Sequence, residues 1–102
     1  MINNKIMGEN FLNTMNLSIE YLKKALENAK FILSKKPRSE EAKKIKADAL
    51  LNISNAYLVL GKFDKNYNKA LRKAEEALKY SKEINYLISE GKCFNLFGNI
   101  YF

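Results

Sequence analysis

Apolar residues recur three or four residues apart in four successive stretches of the chain, which is the pattern of helices with one buried side. The first stretch predicts a helix over residues 15–34. Its apolar positions are Leu17, Tyr21, Leu22, Ala25, Leu26, Ala29, Ile32 and Leu33. The segment before it, "KIMGENFL", predicts a separate and shorter helix.

A second helix is predicted to begin beside Ser39. Pro37 does not continue the first helix, because proline lacks a backbone N–H and its ring clashes with the preceding turn. Ser39 is a good N-cap, and Glu40 and Glu41 follow in the first turn, where negative charge suits the helix dipole. The apolar positions of this long helix are Ala42, Ile45, Ala49, Leu50, Ile53, Ala56, Tyr57 and Leu60. Gly61 is expected to end it in a left-handed conformation.

Two shorter helices follow. The third has the apolar and small positions Ala70, Leu71, Ala74, Ala77, Leu78 and Ser81, and the fourth has Leu87, Ile88, Gly91, Phe94, Phe97, Gly98 and Tyr101. The connections are short, so consecutive helices should be antiparallel. Small residues such as Ser54 and Gly98 are expected to let helices approach closely, while Phe94 and Tyr101 fill the gaps between them. The predicted fold is all-α, in one domain over residues 1–102.

The composition is that of an ordinary globular protein. The chain has 102 residues, of which 47% are apolar and 28% charged, and it contains one Pro and four Gly. No apolar run approaches the ~20 residues of a membrane span, and "MINNKIMGENF" lacks the continuous apolar segment of a secretory signal. We therefore expect a cytoplasmic protein that does not associate with membranes.

The residues that usually perform catalysis are scarce. The chain has no His and one cysteine, Cys93, so the common zinc sites, His-based triads and intrachain disulfides are excluded. With no neighbouring His, Cys93 is expected to be a buried and inert thiol. The adjacent acidic pairs, such as Glu75 and Glu76, point in different directions on a helix and do not converge on one site. We expect no enzyme activity and no metal or other cofactor.

The second and fourth stretches repeat one pattern. Tyr57 and Tyr101 lie 44 residues apart, which is a spacing typical of helical repeat arrays. The same offset pairs Leu50 with Phe94, Ile53 with Phe97, Ser54 with Gly98, and Asn55 with Asn99. The same helix-packing site therefore recurs along the chain.

These segments resemble the tetratricopeptide repeat family. "NISNAYLVLGKF", "KALRKAEEALKYSKEIN" and "SEGKCFNLFGNIYF" are similar to a helical hairpin of helices A and B followed by the next helix A, and "SIEYLKKALENAK" is similar to an earlier helix B. The resemblance implies a right-handed superhelix of about two to two and a half repeats. The chain departs from the family pattern in the insertion "KNYN" and in the long segment after Pro37, so irregular repeats are expected.

The resemblance also implies a binding site. In this family the side chains of helices A line a concave groove that holds peptide or protein segments. The matching positions here are Asp48, Asn52, Asn55, Lys92, Asn95 and Asn99. An Asn amide both donates and accepts hydrogen bonds, so several in a row could pair with peptide backbone of any sequence. The alternative is that these amides merely solvate an exposed face.

Some members of the family hold a C-terminal carboxylate with a clamp of basic and Asn side chains. Asn52 and Lys92 match two clamp positions, but Leu51 and Leu96 replace two expected cations. The resemblance therefore gives little support to carboxylate binding.

Net charge suggests two further possibilities for partners. The chain carries a formal charge of +7, and residues 20–46 hold nine Lys and Arg against four Glu. The densest part of this basic patch is Lys35, Lys36, Arg38, Lys43, Lys44 and Lys46. Such a patch could attract an acidic protein, or nucleic acid as an alternative function, although no interleaved aromatic residues are present to stack on bases.

The apolar segment 94–102, "FNLFGNIYF", is the last possible contact surface. Terminal repeats of such arrays normally present a polar covering helix, and no such helix follows this segment. We expect the chain to be a fragment of a longer array. The alternative is a homo-oligomer formed through residues 94–102.

Overall fold

The computed structural model describes residues 2–64 and 66–101, with side chains described for 8–62 and 66–101. The described residues form four helices joined by short connections and include no strand: α1 (Ile2–Lys35), α2 (Glu40–Asp64), α3 (Asn68–Glu83) and α4 (Leu87–Tyr101). The all-α prediction is therefore confirmed. Within these residues α2 packs against each of the other three helices, while α1 packs against α2 alone. The buried core consequently surrounds α2.

The first helix differs from its prediction in length and in its buried side. α1 is one continuous helix from Ile2 to Lys35, so a separate short helix before residue 15 is wrong. Of the predicted apolar positions, Leu26 and Ala29 are buried, whereas Leu17 and Tyr21 are 56% and 71% exposed. Ile19, which the prediction does not include, is also buried, so the side of α1 that faces α2 is only partly the predicted one.

The predicted cap of α2 is confirmed. The N–H of Ala42 donates to Oγ of Ser39 at 3.2 Å, which satisfies one of the free donors of the first turn. The predicted stop at Gly61 is wrong, since α2 runs through it to Asp64 and no described glycine has a positive φ. A Cβ at position 61 would lie 2.8 Å from the carbonyl oxygen of Asn66 and 2.8 Å from Cδ1 of Tyr67. Glycine is needed there because the turn into α3 passes directly over the helix.

α2 and α3 are antiparallel, as their contacts show. Lys43 forms an ion pair with Glu83 at 3.2 Å, while Ser54, further along α2, donates to the carbonyl of Ala70 near the start of α3 at 2.6 Å. The side of α3 that meets α2 consists of small residues with no exposed surface: Ala70, Ala74, Ala77 and Ser81. These residues allow the two backbones to approach closely, as the sequence predicts.

Asn85 makes the turn between α3 and α4. Its φ of 55° lies in the left-handed region, the position at which glycine most often ends a helix. The N–H of Asn85 donates to the carbonyl of Lys82 at 3.2 Å, and that of Tyr86 to the carbonyl of Ser81 at 2.8 Å. These two bonds form a Schellman motif, which sends α4 back along α3.

The buried side of α4 is not the predicted one. Ser89, Cys93 and Leu96 face the core, and Cys93 is fully buried, as expected. Four residues expected to be inside are exposed: Leu87 (74%), Ile88 (69%), Phe94 (56%) and Tyr101 (66%). A Cβ added to Gly98 would meet nothing within 4 Å, so the close helix contact predicted at this glycine is also wrong.

Candidate functional site: a groove between α2 and α4

The candidate site is a groove between α2 and α4, and its form depends on the relative direction of these two helices. Near the start of both helices, the Tyr86 hydroxyl donates to Oδ2 of Asp48 at 3.3 Å. Further along, residues 51–55 of α2 share a cleft with residues 92–99 of α4. Position increases in the same direction along both helices, so α2 and α4 are parallel, with α3 returning between them.

Five of the six predicted groove residues lie around one cleft. Its volume is about 270 Å³. The cleft is lined by the exposed side chains of Asn52, Asn55, Lys92, Asn95 and Asn99, together with Leu51 and Leu96. The two leucines are only 7% and 6% exposed and supply an apolar floor beneath the amides. The structure thus brings together two pairs of Asn side chains that are about 40 residues apart in sequence.

A second cleft continues the first toward the ends of α2 and α4. Its volume is about 560 Å³ and its lining residues are Asn55, Leu58, Val59, Lys62, Tyr67, Gly98 and Asn99. Because Asn55 and Asn99 line both clefts, the two form one continuous depression, which we call the asparagine groove. From Leu51 to Lys62 it follows three turns of α2, or roughly 16 Å at 1.5 Å per residue. This length accommodates about five residues of extended peptide at ~3.3 Å each.

The asparagine groove has the chemistry to bind main-chain amide groups. Each Asn side chain offers two N–H donors and one carbonyl acceptor, which match the alternating carbonyl and N–H groups of an extended chain. The charged side chains that line the clefts are Lys92 and Lys62, which are both basic. A ligand with acidic groups at either end is therefore favoured, although exposed charges contribute modestly.

Asp48, the sixth predicted groove residue, does not line either cleft. Its carboxylate is half-buried and accepts the hydrogen bond from Tyr86. Burial of the phenol, together with the negative charge of Asp48 and this hydrogen bond, raises the pKa of Tyr86 above its usual value. Asp48 instead helps to hold the start of α4 against α2.

Intramolecular contacts engage much of the predicted basic patch. Besides the Lys43 ion pair, the Lys46 ammonium donates to the Tyr80 hydroxyl at 2.6 Å. The Lys44 ammonium lies 5.7 Å from the centre of the Tyr86 ring. Lys35 lies at the end of α1, with Lys36 and Arg38 in the following connection. The patch therefore lies across the α1–α2 connection and the start of α2, with Lys43 and Lys46 fixed against α3.

Sequence reasoning missed part of the groove and one other cleft. Lys62 and Tyr67 complete the second part of the groove, and their approach to Asn99 depends on the turn at Gly61. A cleft of about 430 Å³ on the other side of α2 is lined by Lys23, Tyr57, Lys69, Arg72, Lys73 and Glu76. No sequence motif indicates that residues from these three helices lie together, because the 44-residue repeat relates only α2 to α4.

The described residues give no geometry for metal or thiol chemistry. No three His, Cys, Asp or Glu side chains among them are grouped so as to hold a metal ion. Burial raises the pKa of the Cys93 thiol; a hydrogen bond with Ser89 acts in the opposite direction, while the charge of Glu90 raises the pKa further. In the same described part of the chain, no helix is both long enough and apolar enough to cross a bilayer.

Comparison with known proteins gives no relative to this chain. No family model, curated protein or solved structure matches the sequence or the fold. The function must therefore be inferred from the groove itself.

Proposed function

We propose that this protein is a tetratricopeptide-like interaction module that binds an extended peptide segment of another protein in the asparagine groove. The observation that carries the proposal is the convergence of Asn52, Asn55, Asn95 and Asn99 on one cleft between two parallel helices. Two of these residues come from α2 and two from α4.

The helix arrangement supports a repeat architecture. α2 and α4 would be the A helices of successive repeats, α3 the B helix between them, and α1 the B helix of a preceding repeat. Asn55 and Asn99 occupy equivalent positions, 44 residues apart, and both line the groove. A recurring amide at a recurring position produces a row of hydrogen-bonding groups along the groove, which suits a ligand that is itself a repeating backbone.

The ligand is an extended segment with one or more acidic side chains. Backbone pairing by the Asn amides would contribute affinity that is tolerant of sequence, while Leu51 and Leu96 would receive an apolar side chain. Lys92 in the first cleft and Lys62 in the second would favour acidic residues toward the two ends of the ligand. Because Leu51 and Leu96 are buried and apolar, a terminal carboxylate would find a single cation, Lys92, in the first cleft. An internal segment is therefore favoured over a chain terminus.

A random peptide library tests this proposal even though the partner is unidentified. Peptides would be selected on the wild-type chain and depleted on the variant N52A/N55A/N99A. The variant N13A/N16A/N28A is the matched control, because these three Asn are exposed on α1 and away from the groove. The proposal expects peptides that bind the wild type and the control but not the groove variant, with Asp or Glu enriched among them.

Nuclear magnetic resonance then locates the bound peptide. The side-chain NH₂ signals of Asn52, Asn55, Asn95 and Asn99 should shift on addition of a selected peptide, while those of the α1 asparagines stay in place. Peptides that bind all three chains equally, or that shift only α1 signals, would contradict the proposal.

A further inference from the structure

The outer side of α4 carries an uncovered apolar stripe. Leu87, Phe94 and Tyr101 are 74%, 56% and 66% exposed. They are separated by Gly91 and Gly98, and an added Cβ at either glycine would meet nothing within 4 Å. These five residues, which we call the α4 stripe, are spaced four and three residues apart in alternation, so they follow one line along the helix.

The equivalent line on α2 is a helix-packing surface. Subtracting the 44-residue repeat converts the α4 stripe into Lys43, Ala47, Leu50, Ser54 and Tyr57. Ala47, Leu50 and Ser54 have no exposed surface, and Lys43 and Ser54 contact α3 directly. The α4 stripe therefore lies where the repeat places another helix, and among the described residues nothing covers it.

The stripe is the same when read in either direction. It consists of a large, a small, a large, a small and a large residue, with Phe94 at its centre. In an interface with two-fold symmetry, a residue that contacts a second residue of the partner is contacted in return by the partner's copy of the first, and a stripe with this pattern meets that condition when two copies run antiparallel. Two antiparallel copies of α4 would place Phe94 against its own copy, Gly91 against Gly98, and Leu87 against Tyr101. The two Phe94 rings would then meet at the axis, where the neighbouring glycines leave room for them.

From this symmetry we infer that the α4 stripe binds the α4 stripe of a second copy of this chain, as an antiparallel helix pair about a two-fold axis at Phe94. The area suits only a weak dimer. Leu87, Phe94 and Tyr101 expose roughly 400 Å² per copy, given ~200 Å² for an aromatic side chain, so two copies together bury at most roughly 800 Å². The first cleft of the asparagine groove shares no residue with the α4 stripe, whereas Gly98 belongs to both the stripe and the second cleft, so the dimer would border that end of the groove.

The net charge of the chain predicts how salt should affect this dimer. The stripe carries no charged residue, but each copy carries a formal charge of +7. The contact is apolar and the long-range repulsion is screened by salt, so added salt should tighten the dimer. Nucleic-acid binding by the basic patch would respond in the opposite way, because salt weakens it.

Sedimentation equilibrium of the 102-residue chain tests the pair directly. From about 5 to 500 µM, a concentration range that covers weak association, the mass should rise from 11.8 kDa toward twice that value. The variant Phe94→Glu places two like charges on the axis and should weaken dimerisation by at least about 30-fold, as loss of a central contact does. Phe31→Glu is the matched control, since Phe31 is 66% exposed on α1, and it should dimerise as the wild type does. Circular dichroism verifies that both variants fold.

Crosslinking tests the orientation. Phe94→Cys should form a covalent dimer on mild oxidation, because the axis places the two sulfurs together, while the native Cys93 stays buried. Leu87→Cys should not crosslink to itself but should crosslink to Tyr101→Cys in a mixture. A wild-type chain that stays at 11.8 kDa throughout, equal effects of the two Glu variants, or a Leu87→Cys chain that crosslinks to itself would each overturn the inference.

Discussion

Ser54 in α2 donates its hydroxyl hydrogen to the carbonyl oxygen of Ala70 in α3 at 2.6 Å, and neither residue has any exposed surface. The bond joins the two helices of the central hairpin. Because the serine side chain is small, it permits the helices to lie close together and also satisfies its own buried hydroxyl. The geometry of the asparagine groove depends on this hairpin, since Asn55 is the next residue of α2.

Removal of the Ser54 hydroxyl should destabilise the fold modestly. Ser54→Ala loses one buried hydrogen bond, while the Ala70 carbonyl remains within a helix, so the free energy of unfolding should fall by about 0.5–1.5 kcal/mol. Ser54→Leu should cost more, because its larger side chain does not fit between the helices. Urea denaturation followed by circular dichroism measures both. Equal stability of the leucine variant and the wild type would mean that the hairpin is not closely packed at this point.

Two glycines should respond oppositely to substitution by alanine. Gly61→Ala should destabilise the protein, since its Cβ would lie 2.8 Å from a backbone oxygen of the turn. Gly8→Ala is the control, because nothing lies within 4 Å of its Cβ, and in a helix alanine is favoured over glycine by about 0.5–1 kcal/mol. Thermal unfolding should give a lower midpoint for the first variant and a higher one for the second. A rise in both would place the turn at residues 66–67 further from α2.

Asn85 is a position where glycine should improve the fold. Its φ of 55° is strained for a residue with a Cβ, although Asn tolerates it better than most. Asn85→Gly should raise the free energy of unfolding by about 0.5–1 kcal/mol, and Asn85→Ala should lower it by a similar amount. Chemical denaturation ranks the three chains. An alanine variant as stable as the glycine variant would argue against a left-handed conformation at this turn.

Ionisation of Tyr86 should lower the stability of the fold at alkaline pH. The pKa of Tyr86 is raised in the folded protein. Its contribution to the free energy of unfolding is therefore complete below the unfolded pKa of about 10 and is lost as the pH rises through the higher folded pKa. The melting temperature of the wild type should therefore fall more steeply above about pH 10 than that of Tyr86→Phe. The phenylalanine variant lacks this titration but keeps the other five tyrosines. Parallel curves for the two chains would contradict the contact with Asp48.

Cys93 should react with thiol reagents only when the protein opens. The side chain has no exposed surface and burial raises the pKa of its thiol, so little thiolate is accessible at neutral pH. Labelling by a disulfide reagent should be slow in buffer and rapid in urea, and in buffer it should follow the global unfolding equilibrium. Rapid labelling of the native chain would show that α4 detaches from α3.

Sequence patterns predict the helices better than their buried sides. The apolar positions predicted for α2 and α3 are largely correct. α1 and α4 are predicted less well, since each carries more apolar positions than its neighbouring helices cover. The end of α2 is misplaced because Gly61 signals a stop, whereas here its lack of a side chain admits the turn before α3.

The 44-residue repeat explains which residues of the candidate site could be predicted from the sequence and which could not. Asn55 and Asn99 occupy equivalent positions, so their convergence could be predicted from spacing and family resemblance. The repeat does not determine the position of the Asp48 side chain, which accepts a hydrogen bond from Tyr86 of the α3–α4 turn instead of lining the groove. Tyr67 could not be predicted because it reaches the groove only through the connection between α2 and α3. Lys62 lies in the last turn of α2, beyond the stop that Gly61 predicted.

The most direct test of the central claim is the dissociation constant of a library-selected peptide for the wild-type chain and for N52A/N55A/N99A, measured by titration calorimetry. Three lost hydrogen bonds of about 0.5–1.5 kcal/mol each predict at least a 10-fold weaker complex for the variant, with N13A/N16A/N28A unchanged. Equal dissociation constants for all three chains would contradict peptide recognition by the asparagine groove.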